Sequence, residues 1–299
     1  MTQIRDTRTH RTYIIALAFV TGLSLLLPAY SAAADIQADF GLLNDDNVTR
    51  TFDGGGKLSD QSISVNFSLP ASIPVSTNTR AIVTGSLGAE IFSEYGELSN
   101  VSGSIQGVYQ YRNSAEFGTP VWGLFANLGM IDYQSTQRDG LVYAAGVSVQ
   151  KSITDKIRMF GAISHNERDG SHDVFKNKHD AVLINLDYEV RSLGTIYLGG
   201  EYRQGYIVIS APFWTWYTTS YPSRIALDDA FPNSTYSYLV DGDTQIFKLG
   251  FNLAIGQESS MDFSFNQIDS TATYWTSTFQ TASLSYSTNL YSVAYLTKF

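Results

Sequence analysis

Three of the four histidines in the sequence, His165, His172 and His179, fall in one short stretch, with Asp173 and Asp180 beside them. Imidazole and carboxylate together suit zinc or copper, so a metal site is the first chemistry these residues suggest. Their spacing matches no standard ligand pattern, and a solvated loop of mixed charge accounts for them without an ion. Ser164 beside His165, and Ser171 beside His172, suggest a second chemistry, hydrolysis of a lipid or peptide. On a strand, however, adjacent side chains point to opposite faces, so Ser164 and His165 cannot serve each other as nucleophile and base. The run Gly54, Gly55, Gly56 is followed by neither Lys-Ser nor Lys-Thr and opens no helical pattern, which excludes a phosphate loop. No catalytic residue, metal or cofactor is assigned from these groups.

The elements that would position such residues are strands. From Gln245 to Ile255, Phe247, Leu249, Phe251, Leu253 and Ile255 fall on one face and Lys248, Gly250 and Asn252 on the other. After a turn at Gly256 to Ser259, Met261, Phe263 and Phe265 alternate with Asp262, Ser264 and Asn266. Val182, Ile184, Leu186, Tyr188 and Val190 lead through a turn at Arg191 to Gly194 into Ile196, Leu198, Gly200 and Tyr202. Leu141, Tyr143, Ala145, Val147 and Val149 lead through a turn at Ile153 to Asp155 into Ile157, Met159, Gly161 and Ile163. Further strands are predicted near Ile36 to Leu42, Ser62 to Leu69, Ala81 to Ile91, Gly103 to Tyr111 and Pro120 to Tyr133. With the final strand the total is about twelve, ten or fourteen being the alternatives. Thr278 to Tyr286 alternates on even positions and the last strand on odd ones, which predicts either a long bulged final strand or an external hairpin.

The N-terminal segment reads as an export signal. Arg5, Arg8 and Arg11 precede an apolar run from Tyr13 to Leu27 and then Ser31, Ala32, Ala33 and Ala34. The run is about 15 residues, short of the roughly 20 that a spanning helix needs. Residues 1–34 are therefore expected to be a cleaved signal peptide, and 35–299 a single domain. Removing Arg5, Arg8, Arg11 and Asp6 from 19 basic and 28 acidic residues leaves 16 and 27, a net charge of −11. Such a chain repels nucleic acid. Cysteine is absent, which leaves neither a lipoprotein acylation site nor a disulfide. With 19 Tyr and 13% aromatic residues but no second long apolar stretch, a membrane-embedded form must be a closed barrel with aromatic girdles.

The last residues, YSVAYLTKF, put Tyr291, Val293, Tyr295, Thr297 and Phe299 on one face. A final strand with alternating aromatic and apolar residues and a terminal Phe resembles the C-terminal signature of Gram-negative outer-membrane β-barrels of the porin-like superfamily. The resemblance covers about ten residues, in which Tyr295 and Phe299 are the assembly signal. It implies an all-β fold, a single closed antiparallel transmembrane barrel in the bacterial outer membrane. It also implies insertion by the barrel assembly machinery, contact with outer-membrane lipids and lipopolysaccharide, and passage of small hydrophilic solutes.

With that phase, Asp39, Arg80, Glu90, Arg158, Asp187, Glu189, Glu201, Arg203, Lys248 and Asp262 are the candidates for the lumen wall. A hairpin folded about the loop near Asp173 would set Arg158 opposite Glu189, either as an ion pair that neutralises buried charge or as part of a filter favouring cations or neutral solutes. Long loops are expected at Asn166 to Asp180 and at Ser210 to Gly242. The second is rich in aromatic residues, and its Trp214, Trp216, Tyr217 and Tyr221 are the candidates for a constriction, a cap or a binding platform, or else they extend the outer girdle. The functions compatible with all this are a porin-like channel, a barrel enzyme acting on lipid or peptide, and a closed barrel that binds a partner through that loop.

Overall fold

The computed structural model describes residues 35–52, 56–191, 193–212, 224–232, 234–275 and 281–299. The strands are β1 (Gln37–Asp45), β2 (Asp60–Ser76), β3 (Thr79–Phe92), β4 (Asn100–Arg112), β5 (Val121–Tyr133), β6 (Gly140–Ser152), β7 (Ile157–Gly170), β8 (Asn177–Val190), β9 (Gly194–Pro212), β10 (Ile225–Leu227), β11 (Thr235–Ala254), β12 (Ser259–Trp275) and β13 (Thr281–Lys298). Twelve of them, all but β10, form a closed antiparallel barrel. Closure comes from β13 pairing with β1, where Gln37 meets Lys298 and Asp45 meets Leu290. No described helix is long and apolar enough to cross a membrane.

Alternation along each strand decides which side chains face out. Phe40, Leu42, Ile63, Phe67, Leu124, Leu128, Val147, Ile163, Ile184, Leu198, Leu249, Phe263 and Tyr291 are large, apolar and exposed. Their neighbours in sequence are mostly small or polar and face the interior. This is the inverse of a soluble protein and matches a wall with lipid on its outer side.

Connections at one end of the barrel are mostly short: residues 77–78, 113–120, 153–156, 191–193 and 255–258. We call this the turn end, and the other, with residues 46–59 and 213–234, the loop end. Two expected loops are shorter than their sequence suggested. Asn166 to Arg168 and Asn177 to Asp180 continue the β7–β8 ladder, and Asp169 and Gly170 still pair with β6, leaving only 171–176 between the two strands. Polar side chains there mimic a loop although the backbone is paired. Likewise β9 runs to Pro212 and β11 starts at Thr235.

The final strand holds a second correction. β13 is one unbroken ladder against β12, from Ser259 opposite Thr297 to Trp275 opposite Thr281, with neither bulge nor hairpin within it. Its apolar residues change face because their surroundings change. Tyr291, Val293 and Tyr295 point outward, whereas Leu284 and Tyr286 point inward, against a protein interior at the loop end.

That interior is where the buried apolar residues gather. β9 and β11 pair beyond the point at which β11 leaves β12, whose last partner is Thr273 opposite Asp241. This free hairpin places Ile209, Ala211, Tyr238 and Val240 against Ala272 and Tyr286 of the β12–β13 wall. Its other face, with Val208 and Leu239, covers Val174 and Phe175 of the β7–β8 loop. Ile209 and Tyr238 are almost fully buried, and side chains of this size contribute roughly 1.5–3 kcal/mol each. The hairpin therefore folds inward over the barrel mouth.

Candidate functional site

The chain leaving this hairpin crosses to the opposite rim. β10 pairs with β11, Ile225 opposite Tyr238 and Leu227 opposite Tyr236. Asp228 follows, with a side chain that is 0% exposed. Its Oδ2 accepts from Arg138 Nη2 at 2.5 Å, Ser237 Oγ at 2.5 Å and Ser210 Oγ at 3.1 Å, and its Oδ1 accepts from the Ala230 N–H at 3.1 Å. Ser135 Oγ donates to Asp229 Oδ1 at 2.5 Å. Phe231 meets the Tyr95 ring edge-on at 5.4 Å between centroids and packs with Leu98 and Ala230. Arg138 and Ser135 belong to the β5–β6 loop and Tyr95 to the β3–β4 loop, both across the barrel from β11. The Ser210 N–H also donates to Thr49 O of the β1–β2 loop at 2.8 Å. We call residues 205–212 and 224–241 the crown.

Beneath the crown is a partly open cavity of about 440 Å³. Its wall includes Arg50, Arg138, Arg168 and Arg203, with Asp45, Glu90, Asn177, His179 and Tyr286. Arg50 is held by Asp45 at 2.6 Å, and Arg203 Nε donates to Glu201 Oε1 at 2.5 Å. Burial pushes the Arg138 guanidinium down, Asp228 opposes that, and the charge of Arg168 adds to the depression. In Arg50 the hydrogen bond and charge of Asp45 outweigh burial and raise the value.

The ten residues expected on the lumen wall all occupy the face opposite the exposed apolar side chains. Glu90 and Arg203 reach the cavity. The others lie elsewhere along the barrel. Arg80 Nε donates to Gln110 at 2.6 Å, and Asp187 accepts from Asn185 at 2.7 Å. Tyr197 O–H donates to Asp262 at 2.7 Å, with Lys248 Nζ 5.2 Å from the Tyr197 ring centre. Gly250 makes this possible, since a Cβ there would overlap the ring. Asp39 sits on β1, two strands from Asp262.

Arg158 is opposite Asp187, not Glu189, whose N–H instead donates to Lys156 O at 2.8 Å. The hairpin pivots one residue earlier than Asp173 suggests, which slides each partner by two and preserves the face. No ion pair joins Arg158 to either carboxylate among the described residues.

The three histidines part company. His165 faces outward, its Nδ1 2.7 Å from Asp180 Oδ1. His172 Nδ1 accepts from the Val174 N–H at 3.3 Å in the β7–β8 loop. His179 lines the cavity. Among the described residues no group of three or more potential ligands could hold a metal. Ser164 points inward, away from His165, and accepts from Asn166 Nδ2 at 2.9 Å. Trp214, Trp216, Tyr217 and Tyr221 lie outside the described residues.

Sequence reasoning missed Arg138, Arg168 and Asp228. Arg168 shares the inward parity of Arg158 and was legible as such, but its polar neighbours suggested a loop. Arg138 and Asp228 are joined only by the tertiary fold.

Neither a family model nor a curated protein sequence matches the chain. Among solved structures, the COG4313 outer membrane channel from Pseudomonas putida F1 is similar with a TM-score of 0.57 at 9% identity, covering 92% of this chain and 100% of that one. The KdgM porin gives 0.44 at 11% identity over 88% of this chain and 99% of its own. The NanC porin gives 0.40 at 9% identity over 89% and 98%. The likeness to the first of these shows the fold alone, a closed antiparallel β-barrel.

Proposed function

We propose that this protein, matured at Asp35, is a porin-like channel of the outer membrane for small hydrophilic solutes. The carrying observation is a closed wall, apolar outside, around an interior of mixed charge with a cavity of about 440 Å³ at its loop end. In this reading the crown is the constriction, and Tyr295 and Phe299 remain the assembly signal. The acidic excess read from the sequence favours neutral or cationic solutes. In the loop-end cavity Arg50, Arg138 and Arg203 are each paired with a carboxylate, so selection by charge there is local to Arg168 and Glu90.

Planar-bilayer recording from refolded protein tests the channel. Stepwise current through the native chain, increased when residues 213–234 are replaced by a short linker, supports it. No current from either protein removes it.

A second reading is a barrel whose lumen is packed shut and that binds a partner with its loops. It predicts no current even after the replacement.

A further inference from the structure

Arg168 differs from the other three arginines of the cavity. Arg50, Arg138 and Arg203 each have a carboxylate partner, at 2.6, 2.5 and 2.5 Å. Among the described residues no carboxylate lies within ion-pairing distance of Arg168. One of its terminal nitrogens donates to the Arg138 carbonyl, and its guanidinium lies 5.1 Å from the Tyr133 ring centre. Its Nε, like that of Arg138, is buried with no hydrogen-bond partner. The wall thus holds two neighbouring guanidiniums whose own carboxylate, Asp228, bonds only Arg138.

A half-buried cation without a counter-charge is costly, and a guanidinium next to a second one more so. The cost falls when an anion enters. A carboxylate fits the planar fork of an arginine with two parallel hydrogen bonds. Asn177, opposite Arg168 in the β7–β8 ladder, and His179 supply further polar groups on the same wall. Glu90 sets the limit on charge. It also lines the cavity, and it accepts from Ser62 at 2.7 Å. A second negative group near it would be repelled, whereas hydroxyls could donate to it. About 440 Å³ lies within the roughly 300–1,000 Å³ of small-molecule sites.

We infer that the cavity beneath the crown is a binding site for a small hydrophilic monocarboxylate, with Arg168 as the residue that takes the carboxylate. This rests on the channel reading only for its purpose, since binding and conduction are measured separately.

The test is calorimetric titration of refolded protein, residues 35–299, in detergent with gluconate and, separately, with glucose, a sugar of equal carbon number and no charge. Gluconate should bind at least about tenfold more tightly than glucose, the scale of one charge-assisted pair. Arg168→Gln should remove that preference and Arg168→Lys should retain part of it. In bilayers, gluconate should interrupt the current of the native chain and not that of Arg168→Gln. Equal affinity for the two probes, no binding of either, or an unchanged preference in a folded Arg168→Gln overturns the inference, and the first two outcomes need no variant. Potassium chloride current without gluconate binding defeats the site and leaves the channel. Arg168-dependent binding without current does the reverse.

Discussion

Asp228 and Arg138 meet at 2.5 Å across the mouth of the barrel, one on the segment leaving β10 and the other on the rim opposite β11. Their pairing ties the crown to the far wall. Removing one partner of a buried pair costs about 3–5 kcal/mol, and the 14% exposure of the Arg138 side chain puts this pair near the lower figure. Asp228→Ala should therefore release the crown without unfolding the wall, raising single-channel conductance and opening the bond after Arg224 to trypsin. A variant with native conductance and native resistance to trypsin would show that the tie holds nothing shut.

Tyr197 reaches Asp262 only because Gly250 leaves room for its ring. Gly250→Val should push the ring aside and cost roughly 1–3 kcal/mol, as overfilled sites do. Tyr197→Phe keeps the ring and loses the hydrogen bond, and its cost should be about 1 kcal/mol. Urea unfolding of both proteins gives the two figures. If Gly250→Val unfolds with the native midpoint, the ring is not fixed there.

The two faces of the wall should respond differently to charge. Leu128 is 59% exposed on the outer face near the middle of β5, and Gln106 faces the interior from β4. Leu128→Arg should cost roughly 2–4 kcal/mol in a bilayer and Gln106→Arg far less. Equal costs in liposome unfolding would contradict lipid on the outside.

Phe299 donates its N–H to Ile36 O at 2.9 Å, while its side chain is 72% exposed. A Phe299→Ala chain should keep that backbone bond and refold in detergent like the native protein. In cells it should reach the outer membrane in smaller amounts, as expected if the ring is read by the assembly machinery. Heat-modifiable migration in gels measures both. Equal yields in cells would discard Phe299 as a signal.

How far the sequence discloses this molecule depends on what surrounds each strand. Where an exposed apolar face lies on one side and a polar interior on the other, as around Phe247 to Ile255, a period of two suffices to find strand and face. Register needs the pivot of each turn, and one residue of error near Asp173 was enough to move Arg158 from Asp187 to Glu189. At the loop end the rule itself changes. Leu284, Tyr286, Ile209 and Tyr238 are apolar and point inward because the crown fills the mouth. Read alone, that change of face in β13 suggests a bulge. The arginine cavity was hidden for the same reason, since Arg138 and Asp228 are brought together by a chain crossing no local pattern announces.

The ladder between β1 and β13 has a consequence for how the molecule comes into being. Asp45 to Gln37 can find partners on that side only in residues 290–298. A polypeptide halted anywhere before that point would carry two raw sheet margins, each offering itself to any extended neighbour. Assembly is thereby made all-or-nothing, because no shorter piece of the chain can pair both margins.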